Sequence, residues 1–496
     1  MSKVDVSKLK EQDPLNKIAP KKYGDSTIRY VTFNVNGVKT LFNYHPWNKF
    51  NQDYNLLFNT LQADIITLQE LKLTASTLSS IKNIGHLPNF KSFISVPKVK
   101  RGYSGVGLFV RIPDENASPK VRRNLQVIKA EEGLTGYLPS AKSATLSYRD
   151  LPSDMSIGGY DTDIDETTGL ELDSEGRCVV IELACNLVVF ALYCPANSMG
   201  TEEGEQFRIK FLRSLFKRCY NLKFKLGKEV LVMGDINVCL DLIDSAEGMS
   251  DRQKQNLIQP TSDGLSFETV NYEECNNFKK STAGRSILNQ YTIPGMQHSL
   301  LVNHNLNSIG NEPFLFDTTR YVQGRRMNMY TVWNTMTSAR AVNYGSRIDL
   351  ILISCPSMVQ SISNSDIWPF ILGSDHCPVF TDFDVEEVEE LIGETSTKST
   401  STPVPAKLDF EAKYYYKLSQ AVDISALFSR KRSPTENSES SSSSQSCIKT
   451  DIDAKRSKVE TVPSKPKLKY VSRKLPNKAD GQRGINSFFG SNASEN

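Results

Sequence analysis

The chain has 496 residues, of which 39% are hydrophobic and 23% are charged, so it holds enough apolar material for one large or several ordinary globular domains. No apolar run reaches the roughly 18 to 20 residues of a membrane span, and the Lys-rich N-terminus lacks the apolar core of a secretory signal. The net charge of +3 is uneven, because residues 393–496 carry 18 Lys and Arg against 11 Asp and Glu and leave residues 1–392 at −4. An acidic body argues against binding through a broad basic face, but it is compatible with carboxylates that hold cations against a phosphate-bearing ligand.

The nine cysteines are scattered through apolar runs and form no C-x-x-C pair. In a chain without a secretory signal, this spacing predicts free buried thiols in a reducing compartment. Neither disulfides nor zinc are expected.

The apolar pattern alternates between strand-like and helix-like stretches, which predicts a mixed α/β body over residues 26–392. Two long polar stretches, near residues 113–175 and 244–318, are interpreted as insertions into that body. The predicted strands lie at 28–33, 64–68, 93–96, 104–110, 179–183, 187–193, 230–233, 329–333, 348–353 and 379–383, and the predicted helices at 51–61 and 207–220.

The two ends of the chain have a different composition. Residues 1–25 and 393–481 are polar, and the second stretch is basic and rich in Ser and Lys. Such segments bury too little apolar surface to offset the entropy of ordering, so both are predicted to be disordered.

Polar side chains recur where the predicted strands end. Each one alone has an ordinary explanation, such as a strand cap, a salt bridge or a core-edge aromatic. Because strand ends gather at one edge of a layered α/β protein, the whole set predicts a single site. Its members are Asn34, Asn36, Glu70, Tyr193, Asn197, Asp235, Asn237, Asp349, Asp375 and His376.

The ligand types in this set restrict its chemistry. Hard oxygen donors with a single histidine favour Mg²⁺, with Mn²⁺ as a substitute, over zinc. Hydrolysis of a phosphodiester needs an oriented water, a proton acceptor and a cation on the non-bridging oxygens. The set contains residues for all of these tasks.

Six motifs in this order resemble the exonuclease III family of apurinic/apyrimidinic (AP) endonucleases. They are TFNVNG at 32–37, LQELK at 68–72, GYSGVG at 102–107, DSEGR at 173–177, GDIN at 234–237 and GSDHCP at 373–378. The resemblance covers roughly residues 26–384, and with the tail it points to the fungal AP endonuclease 2 branch. It implies a four-layered α/β sandwich of the endonuclease/exonuclease/phosphatase superfamily, followed by a disordered C-terminal tail.

The activity that this resemblance implies is Mg²⁺-dependent hydrolysis of DNA phosphodiesters 5′ to abasic sites in base excision repair. It also implies 3′-phosphodiesterase and 3′ to 5′ exonuclease action, on double-stranded DNA with abasic sites or blocked 3′ ends.

Carried over position by position, the resemblance implies a role for each residue. Glu70 binds the metal with Asn36 and Asp375 close by, and the wider metal site includes Asp235, Asn237 and His376. Asp235 activates or positions the attacking water and Asn237 holds the phosphate, while Tyr193, Asn34 and Asn197 steady the phosphate and the leaving side. Asp349 orients His376, which contacts the phosphate or acts as the base, so the choice of base between Asp235 and His376 stays open.

Four positions depart from the family pattern. Asn36 stands where many members have Asp, which makes a weaker, neutral ligand. Val332 and Ser346 stand where well-known abasic-site cutters have aromatic residues, which predicts strong 3′-end processing relative to incision. Ala196 is an extra residue in the Tyr-x-Pro-Asn form and makes the alignment of Asn197 uncertain.

Two other functions are compatible with some of these motifs. An inositol-phosphate phosphatase or sphingomyelinase shares G-D-x-N and S-D-H-x-P, but the GYSGVG and DSEGR segments disfavour it. A catalytically dead scaffold is disfavoured by the complete acidic set.

The tail carries one peptide motif of its own. Gln482, Ile485, Phe488 and Phe489 match Q-x-x-I-x-x-F-F, the motif by which repair enzymes bind the replication sliding clamp (PCNA), and such a motif docks its apolar side chains from a short 3₁₀ turn. Basic clusters at 430–432 and 455–458 suit nuclear import as well as solvated charge. The sequence thus predicts a nuclear, monomeric enzyme with a clamp-binding tail, no membrane contact and no zinc.

Overall fold

The structure, a computed structural model, describes residues 13–74, 82–98, 102–293, 313–388 and 407–418. Its strands are β1 (Thr27–Asn34), β2 (Ile65–Gln69), β3 (Phe90–Ser95), β4 (Val106–Arg111), β5 (Val127–Glu132), β6 (Cys178–Leu183), β7 (Leu187–Tyr193), β8 (Glu229–Asp235), β9 (Phe316–Asp317), β10 (Val332–Trp333), β11 (Gly345–Ser346), β12 (Asp349–Ile353), β13 (Ile362–Ile367) and β14 (Val379–Asp384). Its α-helices are α1 (Tyr54–Thr60), α2 (Lys82–Gly85), α3 (Pro119–Leu125), α4 (Glu166–Asp173), α5 (Glu202–Tyr220), α6 (Ala246–Lys254), α7 (Gly264–Val270), α8 (Tyr272–Lys280), α9 (Ala283–Tyr291), α10 (Thr318–Gln323), α11 (Pro356–Gln360) and α12 (Ala412–Tyr415).

Two six-stranded mixed sheets form the framework. The strand order is β13-β14-β1-β2-β4-β3 in the first sheet and β5-β6-β7-β8-β12-β9 in the second. Each sheet has one parallel pair, β1 with β2 and β7 with β8, while its other neighbouring strands run antiparallel. In each sheet, the two strands of the parallel pair therefore end at the same edge.

Strand alternation explains why the sheets are covered on both faces. In β1, Ile28 and Tyr30 belong to the core between the two sheets, while Val31 and Phe33 pack on the outer side with α1. In β7, Val189 faces the shared core while its neighbours face outward to α5 and α9. Each fully buried aliphatic or aromatic side chain contributes roughly 1.5 to 3 kcal/mol of transfer free energy. The result is helix, sheet, sheet, helix, which confirms the predicted four-layered α/β sandwich.

The first predicted insertion contains part of the framework. β5 pairs with β6 and forms an edge of the second sheet, although the polar sequence of residues 113–175 predicts an insertion into the body. The strand was missed because it reads VIKAEE, with Glu131 and Glu132 buried. Glu131 is neutralised by Arg218 of α5, at 2.6 Å between Oε2 and Nη2. That tertiary ion pair lets a charged sequence form a sheet edge.

The second predicted insertion is largely helical. It holds α6 to α9, and residues 294–312 lie outside the described part of the chain. The helices begin at Ser245, Asp263 and Thr282, whose side chains accept hydrogen bonds from the first-turn amides of α6, α7 and α9. A small apolar cluster that includes Phe267 of α7 and Phe278 of α8 covers the inner faces of these helices.

The folded body extends beyond residue 26 at its N-terminal end. Asp13 caps a 3₁₀ helix at Pro14–Lys17, with Oδ1 3.0 Å from the Leu15 amide nitrogen. Lys21 forms an ion pair with Asp64, which is buried at the start of the β2 region. Residues 13–25 are therefore ordered, which corrects the prediction of disorder there.

Residues 407–418, which we call the clasp, also belong to the body. Phe410 contacts Phe93 of β3 with ring centroids 6.4 Å apart. The Tyr416 hydroxyl donates to the Ile94 carbonyl at 2.9 Å, and the Tyr415 hydroxyl donates to Glu132 of β5 at 3.2 Å. The clasp bridges the edges of both sheets, so this part of the predicted tail is folded.

The structure describes eight of the nine cysteines. All eight are buried, as predicted, and Cys447 lies outside the described residues. No helix within the described ranges is long and apolar enough to cross a membrane.

Candidate active site

The strand ends meet where the sequence predicted. Asn34 ends β1 and Glu70 follows β2, while Asp235 ends β8. Asp349 begins β12, which runs antiparallel to β8, and it pairs directly with Asp235. His376 lies just before β14, which runs antiparallel to β1. Because one sheet supplies Asn34 and the other Asp235, the site lies across the two sheets.

The Asn34 amide joins the two sheets at this point. Its Nδ2 donates to Glu70 Oε1 at 3.0 Å and to Asp235 Oδ2 at 2.9 Å. Both protons of one amide group are thus used to hold two carboxylates in place. Asn34 is completely buried, so the arrangement is shielded from competing water.

His376 lies between two aspartates. Its Nδ1 is 2.9 Å from Asp349 Oδ2, and its Nε2 is 3.8 Å from Asp235 Oδ2. Atoms of these three side chains lie within 4.8 Å of one another, a spacing that suits a metal ion. Asp349 fixes one ring nitrogen, so the other ring nitrogen is directed to the centre of the site.

The site perturbs its own titratable groups. Burial, together with the charge of Asp349, raises the pKa of the Asp235 carboxyl to about 8. Burial alone would lower the pKa of His376, but Asp349 outweighs it and raises the pKa to about 10. Burial would likewise raise the pKa of Glu70, but Lys72 and Asn34 outweigh it and lower the pKa. Asp235 therefore has the pKa of a general base suited to neutral pH.

A second polar group lies beside Glu70. Asn36 Nδ2 donates to Asp375 Oδ1 at 3.0 Å, and Ser374 Oγ donates to the same oxygen at 3.1 Å. Lys72 Nζ is 3.1 Å from Glu70 Oε2 and also donates to the side-chain oxygen of Asn36. Lys72 was not assigned a role from the sequence, although it lies within the LQELK motif. Its position two residues after Glu70 was the available signal.

Four residues of the site have left-handed backbone conformations. The φ angles are +47° at Asn36, +52° at Glu70, +53° at Lys72 and +56° at Asn237. Such angles cost roughly 1 to 3 kcal/mol for residues other than glycine and cluster at functional sites. The strain is retained because the surrounding hydrogen bonds fix each side chain.

Asn237 and Tyr193 lie on the second-sheet side. The Asn237 amide nitrogen donates to Asp235 Oδ1 at 3.0 Å, and its Nδ2 donates to the Cys194 carbonyl at 2.8 Å. Tyr193 pairs with Asp235 in the β7–β8 register. The guanidinium of Arg177 lies 4.9 Å from the centre of the Tyr193 ring and donates to the Tyr193 carbonyl at 3.1 Å. Arg177, in the DSEGR motif, is a further residue without a role from the sequence.

Asn197 is engaged away from this cluster. Its Nδ2 donates to the Thr201 carbonyl at 3.1 Å and to Glu205 at 3.3 Å, both at the start of α5. Both acceptors belong to the segment that begins α5, and neither is one of the predicted site residues. The extra residue Ala196 lengthens the loop between β7 and that helix.

The short hairpin of β10 and β11 forms one wall of the site. Val332 pairs with Ser346 across the hairpin, and it also pairs with His376 on the other side. Of the two positions that depart from the family's aromatic pattern, Val332 is thus a backbone neighbour of both Ser346 and His376. The adjacent Trp333 ring instead packs on Arg340, at 4.4 Å from the guanidinium, and its Nε1 donates to Asn343. Val332 and Ser346 themselves contribute no aromatic ring to this wall.

The donor set fits a hard divalent cation. Among the described side chains, Asp349 Oδ1 is buried without a hydrogen-bond partner, and it belongs to the Asp235, Asp349 and His376 cluster. Carboxylate and amide oxygens predominate in both polar groups, which is the preference of Mg²⁺ or Mn²⁺. The clamp-binding residues Gln482, Ile485, Phe488 and Phe489 lie outside the described residues.

Comparison with known proteins places this site in a family. No protein-family model matches the chain. It is 44% identical over 402 residues to the DNA-(apurinic or apyrimidinic site) endonuclease 2 of Saccharomyces cerevisiae, which covers 79% of this chain and 72% of the relative. It is 31% identical over 359 residues to the Schizosaccharomyces pombe protein of that name, covering 72% of this chain and 58% of the relative.

A solved structure agrees with the two fungal sequences. The crystal structure of the Xenopus laevis APE2 catalytic domain matches with a TM-score of 0.50 and 26% identity, covering 71% of this chain and 91% of that one. The chain belongs to the AP endonuclease 2 family of DNA repair nucleases.

Proposed function

We propose that this nuclease hydrolyses DNA phosphodiesters 5′ to abasic sites with Mg²⁺, and that it also has 3′-phosphodiesterase and 3′ to 5′ exonuclease activity. The observation that carries the proposal is the position of Asp235, between the Asn34 amide at 2.9 Å and His376 Nε2 at 3.8 Å. The raised pKa makes the ionised Asp235 carboxylate a stronger proton acceptor for an attacking water than an ordinary carboxylate.

The protonated imidazole of His376 supports the same reaction. Asp349 holds Nδ1 and keeps the ring charged at neutral pH, so Nε2–H is available to a phosphate oxygen. We infer that His376 binds the scissile phosphate and that Asp235 is the base. Tyr193 and Asn237 lie next to Asp235 and contribute to phosphate binding.

Glu70, Asn36 and Asp375 would hold the cation on the first-sheet side of the site, where Asn36 and Asp375 are joined at 3.0 Å. Bound Mg²⁺ supplies charge neutralisation at the non-bridging oxygens. Lys72, at 3.1 Å from Glu70, partly balances the carboxylate charge in the same place.

The substrate balance follows from the hairpin wall. Because Val332 and Ser346 offer little stacking surface beside His376, a flipped abasic sugar gains little from binding there. We propose that 3′-end processing is strong relative to incision, and that the enzyme acts as a monomer in the nucleus with its tail bound to the sliding clamp.

The direct test is cleavage of two substrates, abasic duplex and 3′-recessed duplex, with and without Mg²⁺. Asp235→Asn and Glu70→Ala should each lose at least about 100-fold in rate, because each removes a group that acts in the transition state. Glu171→Gln, which changes an exposed carboxylate on α4, is the matched control and should keep full activity.

An inositol phosphate serves as the competing substrate. Turnover of that compound without cleavage of either DNA would overturn the proposal in favour of a phosphatase. Full DNA cleavage by Asp235→Asn would overturn the assignment of the base.

A further inference from the structure

The second insertion reaches the active site through a buried ionic cluster. The cluster combines residues of the insertion with residues of β9, α10 and the segment before β12. Its members, which we call the ionic hub, are Asp241, Asp244, Glu268, Lys279, Asp317, Arg320, Arg325 and Arg347.

Arg347 is the member of the hub nearest the site. It is 1% exposed, and its Nε and Nη2 donate to the two carboxylate oxygens of Asp244 at 2.8 and 3.0 Å. The same Nη2 donates to Asp317 at 2.7 Å, and the Arg347 amide nitrogen donates to the Asp244 carbonyl at 2.8 Å. Both the side chain and the backbone of Arg347 are therefore fixed.

Only Ile348 separates Arg347 from Asp349. The Thr331 hydroxyl accepts hydrogen bonds from the amide nitrogens of both Ile348 and Asp349 at 3.2 Å. The Ile348 side chain packs in the apolar cluster that includes Phe267 and Phe278 of the insertion. The start of β12 is thus held on one side by the insertion and on the other by the hairpin wall.

The far side of the hub ties the insertion together. Glu268 of α7 contacts Arg325 Nε at 2.8 Å and Lys279 of α8 at 3.2 Å. Arg325 Nη1 donates to Asp241 at 2.8 Å. A Cβ atom at Gly264, the first residue of α7, would lie 1.7 Å from the Arg325 carbonyl oxygen, so the helix packs directly on this backbone.

We propose that Arg347 is a positioning residue for Asp349, and that the second insertion supports Arg347 through Asp244 and the rest of the hub. The proposal rests on the proposed function, in which Asp349 orients His376. It gives the second insertion a role in catalysis that requires no contact with DNA.

The physical reason is the geometry of the guanidinium. The planar guanidinium of Arg347 donates to two carboxylates in fixed directions. A lysine ammonium keeps the positive charge, but it is a point charge and lacks this forked set of donors. Arg347→Lys therefore preserves the charge balance of the hub but loosens the backbone before Asp349. A shift of about 1 Å at a positioned group can cost roughly 100-fold in rate.

The matched control is Arg218→Lys in α5, where Arg218 forms an ion pair with Glu131 of the first predicted insertion. Arg218 is equally buried, and its Nη2 donates to Glu131 at 2.6 Å while its Nη1 donates to the Leu134 carbonyl at 2.9 Å. In the described part of the chain its hydrogen bonds, ion pair and cation–π contacts are made with Glu131, Leu134, Gly158, Tyr160 and Phe190, none of which belongs to β12. Both substitutions remove a buried guanidinium that bridges several acceptors, so both should lower thermal stability.

The experiment measures kcat and KM on a 3′-recessed duplex, at a temperature where each variant is folded by circular dichroism. We expect Arg347→Lys to lower kcat by roughly 10- to 100-fold with KM within about threefold, and Arg218→Lys to keep kcat within about twofold. Asp317→Asn, which leaves the Asp244 pair intact, is the milder second variant and should lower kcat by about three- to tenfold. It carries the test if Arg347→Lys does not fold.

The inference is overturned if Arg347→Lys or, failing its folding, Asp317→Asn keeps kcat within about twofold of the wild type. It is also overturned if Arg218→Lys lowers kcat as much as the hub variant does. Absence of cleavage by the wild-type protein would instead refute the proposed function, so the two failures are distinguishable.

Discussion

Replacing Asp349 by Asn should separate the electrostatic role of this residue from its place in the fold. The substitution keeps the size of a side chain that is completely buried and removes its negative charge. One amide oxygen can still accept from His376 Nδ1, at the 2.9 Å position of Oδ2. The amide nitrogen then replaces Oδ1, which has no hydrogen-bond partner among the described residues.

The magnitude follows from the loss of one charge-assisted hydrogen bond. Hydrogen bonds to charged groups contribute roughly 1.5 to 3 kcal/mol, and each 1.36 kcal/mol in the barrier is about tenfold in rate. We therefore expect kcat/KM on a 3′-recessed duplex to fall by about 10- to 150-fold.

The pH dependence gives the sign of the effect. In the wild type, Asp349 outweighs burial and raises the pKa of His376 from 6.5 to about 10. Without that charge, burial lowers the pKa of His376, so the ring of the variant becomes neutral at lower pH. The activity ratio of wild type to variant should then grow between pH 6 and 9, if the charged ring binds the phosphate.

Stability provides an independent readout of the same pair. A raised histidine pKa contributes stability that is fully present below the unfolded value of 6.5 and is lost as the pH rises through about 10. The difference in unfolding free energy between wild type and Asp349→Asn should therefore be largest near pH 6 and shrink towards pH 10.

The control is Asp382→Asn, which removes an equally buried carboxylate, 2.7 Å from Arg29, on the other sheet. It should lower stability and leave kcat/KM within about twofold. A variant at Asp349 that keeps wild-type kcat/KM with an unchanged pH profile would refute the reasoning.

Three further substitutions or truncations address other parts of the molecule. Asn36→Asp should lower the Mg²⁺ concentration for half-maximal activity by roughly tenfold, because the new carboxylate attracts the cation. In the absence of Mg²⁺ the same carboxylate repels Asp375. An unchanged Mg²⁺ titration would count against this metal site. Val332→Phe should raise the rate of abasic incision relative to the rate of 3′ trimming, because it adds stacking surface beside His376. The measurement is the ratio of the two rates, and an unchanged ratio would show that the hairpin wall does not select substrates. A chain ending at residue 406 lacks the clasp, so its free energy of unfolding should be about 3 to 6 kcal/mol lower than that of a chain ending at residue 421. Equal urea midpoints for the two chains would show that the clasp does not stabilise the body.

The sequence determined the general architecture because strand and helix periods are local properties. Apolar runs such as those of β1 and β8 are buried on both faces and read as strands in any context. The residues after these runs formed a recognisable set because a polar residue at a strand end is also a local feature. Glu70, Asp235, Asp349 and His376 were named in this way, and the structure brings them together.

Tertiary structure decided everything that depends on a distant partner. The charged sequence of β5 does not predict a strand. The strand forms because Arg218 neutralises Glu131 in the folded protein. Nothing in the local sequence distinguishes Arg347 from other basic residues. Only the fold brings Asp244 and Asp317, which are distant in sequence, into contact with it.

The same distinction applies to the chemistry of the site. The sequence shows that carboxylates and a histidine are present, but the pKa of each group depends on burial and on which charges lie within a few ångströms. Asn34 could be named from its motif, whereas its bridge from Glu70 to Asp235 exists only because two separate sheets pack face to face. The sequence therefore specified which groups are available, and packing of the two sheets decided which of them act on one another.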